Sequence, residues 1–210
     1  SVMPENPGDA YDVELIEGDD AGYRLLAVKP EYQGLQSITI PSTIGDLPVM
    51  EVDAGLLQDC SNVKTIVIDS GFEPGAQASV KDDLTSAIAQ SNTVDTIVIA
   101  VDDIEVLDFS AINSLKTLEL QVIGGGVNTL ARGSFIGNGS IEKLILRGAL
   151  LEIGESAFKQ CTKLKEVVIE RPEGNTDRLY LFAGAFAECT SLESIDLSSV
   201  ATIPYGAFEN

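Results

Sequence analysis

The sequence predicts an α/β solenoid, in which one short unit is repeated and stacked along the chain. Two observations lead to this prediction. The segment 155–169, ESAFKQCTKLKEVVI, returns in modified form as 184–197, GAFAECTSLESIDL. The same spacing of apolar residues can also be followed backwards through most of the chain. Self-similarity of this kind is the sequence signature of repeat architectures.

Seven units share one register. Each unit ends its apolar pattern on one aliphatic residue, with further apolar residues two and five positions earlier. These last positions are Ile40, Ile68, Ile99, Leu120, Leu146, Ile169 and Leu197. Their separations fall mostly within the roughly 20–29 residues expected of leucine-rich repeats. The predicted fold is therefore a right-handed leucine-rich repeat coil.

Each unit divides into a strand and a turn. Val167 and Ile169 are two apart, so they point to one face of a strand and into the core. A large apolar residue precedes each strand and is expected to drop inward from a short helix or 3₁₀ turn: Leu57, Ile88, Phe109, Phe135, Phe158, Phe186 and Phe208. Another apolar position recurs five residues earlier, at Val52, Ile104, Leu130, Ile153, Leu181 and Ile203. The coil would thus carry a parallel β-sheet on its concave face and short helices or 3₁₀ turns on its convex face.

The chain is predicted to have three parts. Residues 1–10 contain Pro4, Pro7 and Gly8 and indicate a flexible leader. Residues 11–34 are expected to form an N-terminal β-hairpin cap, and residues 35–210 a solenoid of about seven coils whose last coil is incomplete. Within the solenoid, the segment 69–83 is predicted to be a long connection, followed by a fuller helix over Lys81–Gln90.

Particular phrases carry a family resemblance. They are the stretch 40–49 followed by Val52 and Cys60, and the Ala-Phe-x-x-Cys-x-x-Leu pattern at 157–164 and 185–192. With these phrases the chain resembles the BspA-like bacterial leucine-rich repeat proteins. The resemblance implies an exported protein on the surface of an oral or gut bacterium, and some members are adhesins that bind host matrix proteins or other bacteria. It implies a binding role without naming the ligand.

The charge of the chain excludes some partners. Thirty-three acidic and thirteen basic residues give a formal net charge of −20. Nucleic acid is disfavoured because phosphate binding needs clustered Lys and Arg, and an anionic membrane is disfavoured for the same reason. No apolar run is long enough to span a bilayer. We expect a cell-surface or secreted protein whose export signal is absent from this sequence, which begins at Ser1.

Catalytic chemistry finds little support. The chain has no histidine, which removes the commonest general base and zinc ligand. Adjacent carboxylates at 19–20, 82–83 and 102–103 are typical of solvated turns, and Gly124-Gly125-Gly126 lacks the Lys-Ser/Thr of a phosphate-binding loop. We therefore predict a protein that is not an enzyme and that holds no cofactor and no metal.

The three cysteines occupy equivalent positions, at Cys60, Cys161 and Cys189. Cys161 and Cys189 belong to adjacent coils, so a disulfide or a metal site is one interpretation. The favoured interpretation is buried free thiols, since free cysteine packs as a small hydrophobe. Other residues occupy the same position in other units, namely Ser91, Ile112 and Asn138.

The outward residues of the strands form the candidate binding site. One outward residue lies between the two inward residues of each strand, at Thr39, Val67, Val98, Glu119, Ile145, Val168 and Asp196. The candidate ligand ridge is Val67, Val98, Glu119, Ile145 and Val168, and the candidate rim is Lys64, Lys116, Lys143 and Lys165. Exposed apolar patches tend to mark interfaces. Two alternatives stay open: β-branched residues simply favour strands, or a dimer covers the ridge.

The carboxyl end raises a second interaction hypothesis. Residues 203–210 begin an eighth coil, and the last complete strand is expected to end as an open edge at Leu197. Either further repeats follow, or a partner or second copy covers this edge. Two functions are therefore expected of this chain. One is a surface-exposed binding module or adhesin for a protein ligand, and the alternative is a structural spacer or stalk.

Overall fold

The computed structural model describes residues 2–101, 112–122 and 129–210. The predicted core positions Ile104 and Phe109, the carboxylates at 102–103 and the Gly124–Gly126 turn lie outside the described residues. The chain divides into two compact units, 1–98 and 99–210.

The first unit contains two 3₁₀ helices, one α-helix and a series of strands among its described residues. The 3₁₀ helices span Pro7–Ala10 and Pro30–Tyr32, and α1 spans Pro74–Gln90. The strands are β1 (Tyr11–Ile16), β2 (Gly22–Val28), β3 (Ser37–Ile40), β4 (Thr43–Ile44), β5 (Leu47–Val52) and β6 (Thr65–Ile68). Strand β7 (Thr96–Val101) begins in this unit and ends beyond it.

The second unit is built from strands and turns in its described part. Its strands are β8 (Thr117–Val122), β9 (Thr129–Leu130), β10 (Lys143–Gly148), β11 (Glu152–Ile153), β12 (Glu166–Glu170), β13 (Tyr180–Leu181) and β14 (Ser194–Ile195). The order β8-β10-β12-β14 forms one parallel series, and β9-β11-β13 forms a second, smaller sheet.

Strands β8 and β10 confirm the predicted inward and outward alternation in the second unit, whereas in β12 the predicted inward residue Ile169 is only partly buried. Along β8, Leu118 and Leu120 are buried while Thr117 and Glu119 are partly exposed. Leu144 of β10 lies directly beside Leu118 on one side and Val167 of β12 on the other. The smaller sheet buries its own row, which consists of Leu130, Ile153 and Leu181. Each coil therefore contributes side chains to the core from both of its sheets.

The ordered, packed part of the chain begins before residue 11, where the sequence placed the end of a flexible leader. Strand β1 pairs antiparallel with β2, and β2 pairs parallel with β5. Pro7–Ala10, expected to belong to a flexible leader, instead forms a 3₁₀ helix in which Gly8 and Ala10 are buried. The hydroxyl of buried Tyr11 donates a hydrogen bond to the carbonyl of Thr39 at 2.5 Å. The 3₁₀ helix itself packs against β3, so the residues before β1 are held against the first coil.

Helix α1 begins earlier than the sequence indicated. The prediction placed a connection over 69–83, but the helix already starts at Pro74. Proline at the first helical position has no N–H to satisfy and its φ is preset for a helix. The helix packs on β5, and the Asp83 carboxylate accepts the backbone N–H of Val52 at 2.9 Å. Ala87 and Ile88 of this helix are buried, as the predicted core position at Ile88 requires.

The convex side of the described second unit is made of turns, which is one of the two predicted forms, short helices or 3₁₀ turns. In the coil around Phe158, Lys159 N–H donates to Ser156 C=O at 3.1 Å, which is a local turn. The N–H groups between these local donors point out of the coil and bond to carbonyls of the following coil. That of Phe158, for example, donates to Ala185 C=O at 2.9 Å. Because alternate donors leave the coil, no continuous helical bond pattern forms. The alternation also needs positive φ, which Ser156 and Gln160 adopt at 56° and 63°.

The aromatic residues of this side stack in a column. Phe135, Phe158, Phe186 and Phe208 follow one another with ring centroids 5.3, 5.5 and 5.7 Å apart, and adjacent rings lie within 6° of parallel. Phe135, Phe158 and Phe186 are fully buried. Each inner ring is thus packed by the equivalent ring of both neighbouring coils.

We predict that Phe158→Ala lowers the free energy of unfolding by about 3–5 kcal/mol, because it removes a buried ring and both of its stacking contacts. The measurement is urea unfolding followed by circular dichroism. Tyr205→Ala is the control, since Tyr205 is 91% exposed, and its effect should stay within about 0.5 kcal/mol. Equal effects of the two substitutions would contradict the role of the column.

We predict that Gly184→Ala destabilises the chain by about 1 kcal/mol, because Gly184 has a φ of +66° and a side chain is strained there. An added Cβ would also lie 3.3 Å from Ser156 Oγ. Gly139→Ala is the matched control, since Gly139 has open space around it and no positive φ. Thermal unfolding of both variants tests the prediction, and an unchanged midpoint for Gly184→Ala would refute it.

Candidate functional site

The outward side chains of the second unit stand in register across neighbouring strands. Ile145 of β10 lies between Glu119 of β8 and Val168 of β12. The rows on either side of this central row are polar. One consists of Thr117, Lys143 and Glu166, and the other of Gln121, Arg147 and Glu170. Two aliphatic side chains are therefore framed by charged residues.

The frame is largely ion-paired. The Arg147 guanidinium bonds to the carboxylates of both Glu119 and Glu170. The Glu119 side chain is only 14% exposed and also accepts the Gln121 amide at 3.0 Å. On the opposite side, Lys143 lies 3.1 Å from Glu166. Exposed pairs of this kind add about 0–1 kcal/mol each to stability, so their main effect here is to cancel charge next to the aliphatic pair.

The candidate ridge is shorter in the second unit than the sequence indicated. Ile145 and Val168 are half-buried and adjacent, but Glu119 on one side is ion-paired with Arg147. Asp196 is exposed beyond the end of β14. Hydrogen bonds from the backbone and side chain of Ser198 lower the pKa of Asp196. The row is thus an aliphatic pair between two carboxylates.

In the first unit the two ridge residues differ from each other. Val67 of β6 is partly exposed and lies beside Thr39 of β3. Val98 of β7 is only 8% exposed, and its neighbours Ile97 and Ile99 are buried as well. Consecutive buried residues are typical of a strand that is covered on both faces. Val98 therefore lacks the exposure that a ligand contact needs, which corrects its place in the ridge.

The candidate rim lysines occupy two different positions. Lys64, Lys116 and Lys165 come just before a strand, and each of their carbonyls accepts two backbone N–H groups from the next coil. Lys143 comes one position later, on the strand itself, and Glu142 takes the position equivalent to Lys116. In the second unit this position therefore alternates in sign, as Lys116, Glu142, Lys165 and Glu193.

The cysteines are buried free thiols, which confirms the favoured interpretation. Cys161 Sγ donates to Phe135 C=O at 3.3 Å, and Cys189 Sγ donates to Phe158 C=O at 3.2 Å. The neighbouring Cys189 thiol and burial raise the pKa of Cys161. At the equivalent position, Asn138 Oδ1 instead accepts backbone N–H groups, including that of Ile141 at 2.9 Å. At these three positions the buried side chain satisfies a backbone partner, whereas Ile112 fills the equivalent position by apolar packing alone.

Sequence reasoning missed two features of this surface. One is the bond from each thiol to the carbonyl of the preceding coil's phenylalanine, which no sequence pattern indicates. The other is the cluster of Arg147 with Glu119 and Glu170. The register could have revealed that cluster, because an arginine placed between carboxylate-bearing strands of a parallel sheet has acidic neighbours within reach.

The described residues offer little for metal binding or catalysis. They contain no group of three His, Cys, Asp or Glu side chains that could hold a metal ion. A depression of about 310 Å³ in the first unit is lined by Leu57, Cys60, Ala87 and Ser91 among others, without an acid–base pair. In the part of the chain that the structure describes, no helix is long and apolar enough to cross a bilayer.

Comparison with known families identifies the repeats of this chain. Six copies of the BspA type leucine rich repeat region match residues 85–210, which is more than half of the chain. The chain belongs to the BspA-type leucine-rich repeat family. Members of this family are repeat proteins and are not typically enzymes. No curated protein matches the chain.

Three solved structures are similar to the BspA-type chain. A leucine-rich repeat protein of T. pallidum shares 18% identity with a TM-score of 0.35, over 90% of this chain and 91% of that one. The pneumococcal vaccine antigen PcpA shares 18% identity with a TM-score of 0.27, over 85% and 40%. A leucine-rich cell surface protein from Faecalibacterium prausnitzii A2-165 shares 16% identity with a TM-score of 0.26, over 86% and 51%. The chain thus spans less than two thirds of the last two proteins.

We predict that the stability of the protein falls as the pH rises above about 9. The Cys161 thiol stays protonated in the folded chain, whereas in the unfolded chain it ionises near its ordinary pKa of 9.0. At Cys161 the folded state then binds more protons than the unfolded state, so the stability contributed by this thiol is fully present below pH 9 and is lost above it. One such thiol contributes up to about 1.4 kcal/mol per pH unit.

Unfolding in urea at several pH values between 8 and about 11 measures this slope. Cys161→Ser removes the ionisable thiol and should make the slope shallower. Thr162→Ser, at an exposed neighbouring position, should leave the slope unchanged. A slope that is identical in all three proteins would contradict the assignment to Cys161.

Proposed function

We propose that this chain is a non-enzymatic, adhesin-like binding module of a secreted or cell-surface protein. Its ligand is a protein, either of a host matrix or of another bacterial surface. The contact is made by the outer face of the sheet in the second unit. The observation that carries this proposal is the pair Ile145 and Val168, half-buried side by side on the outer face within a frame of ion-paired residues.

The chemistry of this face matches that of protein interfaces. Interface cores are depleted of charge, while their rims are polar and accessible to solvent. Ile145 and Val168 supply the apolar centre, and the ion pairs of Lys143 and Arg147 surround it. Because these charges already have partners, a ligand can cover the aliphatic pair without leaving a buried charge unpaired.

The net charge favours one kind of ligand. A formal charge of −20 steers a partner with a cationic surface towards the chain and raises its association rate, most strongly at low salt. Nucleic acid and anionic membrane would be repelled. We therefore propose a ligand protein with a basic rim around an apolar contact.

A surface location is part of the proposal. One similar protein is named a cell surface protein and another a vaccine antigen. Those words describe these two proteins, and we extend a surface location to the present chain as a proposal.

A structural spacer is the second candidate function. It is favoured by the hydrogen bonds and stacked rings that link each coil of the second unit to the next. Such contacts between neighbouring repeats hold the array together and fix the spacing of its coils without any ligand. In this function the aliphatic pair would have no role, so the two candidates differ in what they require of Ile145 and Val168.

We predict that the double variant Ile145→Glu and Val168→Glu binds its ligand at least about tenfold more weakly, because two like charges replace the apolar centre of the contact. The assay is binding of the purified protein to a panel of host matrix proteins and epithelial cells at physiological salt. Ile136→Glu is the matched control, since Ile136 is a 50% exposed aliphatic residue in a turn of the same unit.

Circular dichroism and unfolding midpoints establish that the variants are folded. Loss of binding in the double variant alone supports the proposed face. Binding that survives in the folded double variant would refute it. An unmodified protein that binds none of the panel would favour the spacer.

A further inference from the structure

Strand β1 is the long open edge of the first unit. It lies at one end of the order β1-β2-β5-β4 and pairs on one side only, with β2. Among the described residues, no backbone group outside this pair bonds to the segment 12–16. An unpaired strand edge presents a row of N–H and C=O groups that can pair with another chain.

The other strand edges of this unit are shortened or covered. Strand β4, at the far end of the same sheet, has only two residues. Strand β3 begins the parallel series, but its Thr39 carbonyl accepts the Tyr11 hydroxyl and the first 3₁₀ helix packs against it. Native proteins commonly block edges in these two ways. Strand β1, with six residues, has neither protection.

The side chains of β1 are exposed on both faces of the hairpin. Val13 and Leu15 point to one face and are 36% and 48% exposed. Asp12 and Glu14 point to the other face and are also exposed. A strand added beside β1 could therefore place apolar side chains next to Val13 and Leu15, and cationic side chains next to Asp12 and Glu14.

The charge around β1 decides which strand fits. Besides Asp12 and Glu14, the hairpin turn carries further exposed carboxylates, at Glu17, Asp19 and Asp20. The cation beside Glu14 on β2 is Arg24, which is already bonded to Asp53 at 3.0 Å. A second copy of β1 would bring like charges opposite each other, which destabilises a strand pair. A basic strand would gain from the same carboxylates.

We propose that β1 binds an extended basic segment of another protein as an added β-strand. The occupant is a stretch of about four to six residues in which Lys or Arg alternates with an aliphatic residue. Backbone hydrogen bonds to the β1 edge supply the pairing, and the alternating side chains supply the selectivity. This site is separate from the outer face of the second unit's sheet.

The probe is the end-blocked hexapeptide acetyl-Lys-Val-Lys-Val-Lys-Val-amide, titrated into the isotope-labelled protein and followed by amide NMR shifts and hydrogen exchange. We expect shifts and slowed exchange over 12–16. The same peptide N-methylated at alternate backbone positions keeps its charge but loses the edge hydrogen bonds, and it should bind at least about tenfold more weakly.

The carboxylates are tested by the double variant Asp12→Asn and Glu14→Gln, which should weaken binding about three- to tenfold at low salt. The matched control is Glu31→Gln with Asp46→Asn. It removes the same charge from exposed positions of the same unit, and Asp46 lies in the β4–β5 turn at the opposite end of the sheet. Its binding should be unchanged.

Three results would overturn the proposal. One is equal binding of the two peptides, which would mean charge attraction without strand pairing. Another is protection that falls outside β1. The third is a dimer of the unmodified protein, seen by sedimentation, in which β1 is protected without peptide. The Ile145→Glu and Val168→Glu variant should keep the peptide site, so the outcome here is independent of the proposed adhesin-like function.

Discussion

The hydrogen bonds that pass from each coil to the next are the interaction on which the second unit depends. They occur on the strand side, where the Lys116 and Lys165 carbonyls each accept two N–H groups, and on the turn side, where Phe158 N–H reaches Ala185 C=O. Both sets hold the stacked phenylalanines about 5.5 Å apart. A single coil could bury neither its backbone polar groups nor its aromatic ring, so stability arises between neighbours rather than within a coil.

Because the contacts between coils are made by the core and the backbone, the outer face of the strands is available for binding. The inward residues of the strands and the turn phenylalanines hold the coils together, whereas the outward residues contribute little to the core. In that outer position the chain carries Ile145 and Val168 between ion pairs of Lys143 and Arg147. The edge strand β1 is free for a different reason, because its backbone lacks a partner on one side. One site would thus use side chains and the other mainly backbone groups.

Several features were predictable because they depend on local periodicity. The apolar alternation located β8, β10 and β12, and the recurring phenylalanines located the turn column. Other features were not predictable, because they depend on packing between distant segments. Val98 is buried although it occupies an outward position, and residues 7–10 pack although they contain Pro7 and Gly8. The sequence left open whether the segments around Phe158 are short helices or turns, since the pattern of inward residues is the same in both.

The sequence by itself determined the repeat, its register, the acidic charge and the lack of histidine, because each is a property of residue order or composition. It also identified which residues of β8 and β10 face the core. Only the tertiary structure decided which outward residues are exposed, that Arg147 joins Glu119 and Glu170, and that the thiols bond to carbonyls of the preceding coil. The physical reason is that exposure and pairing are set by what lies across a sheet or in the next coil, which a one-dimensional pattern does not contain.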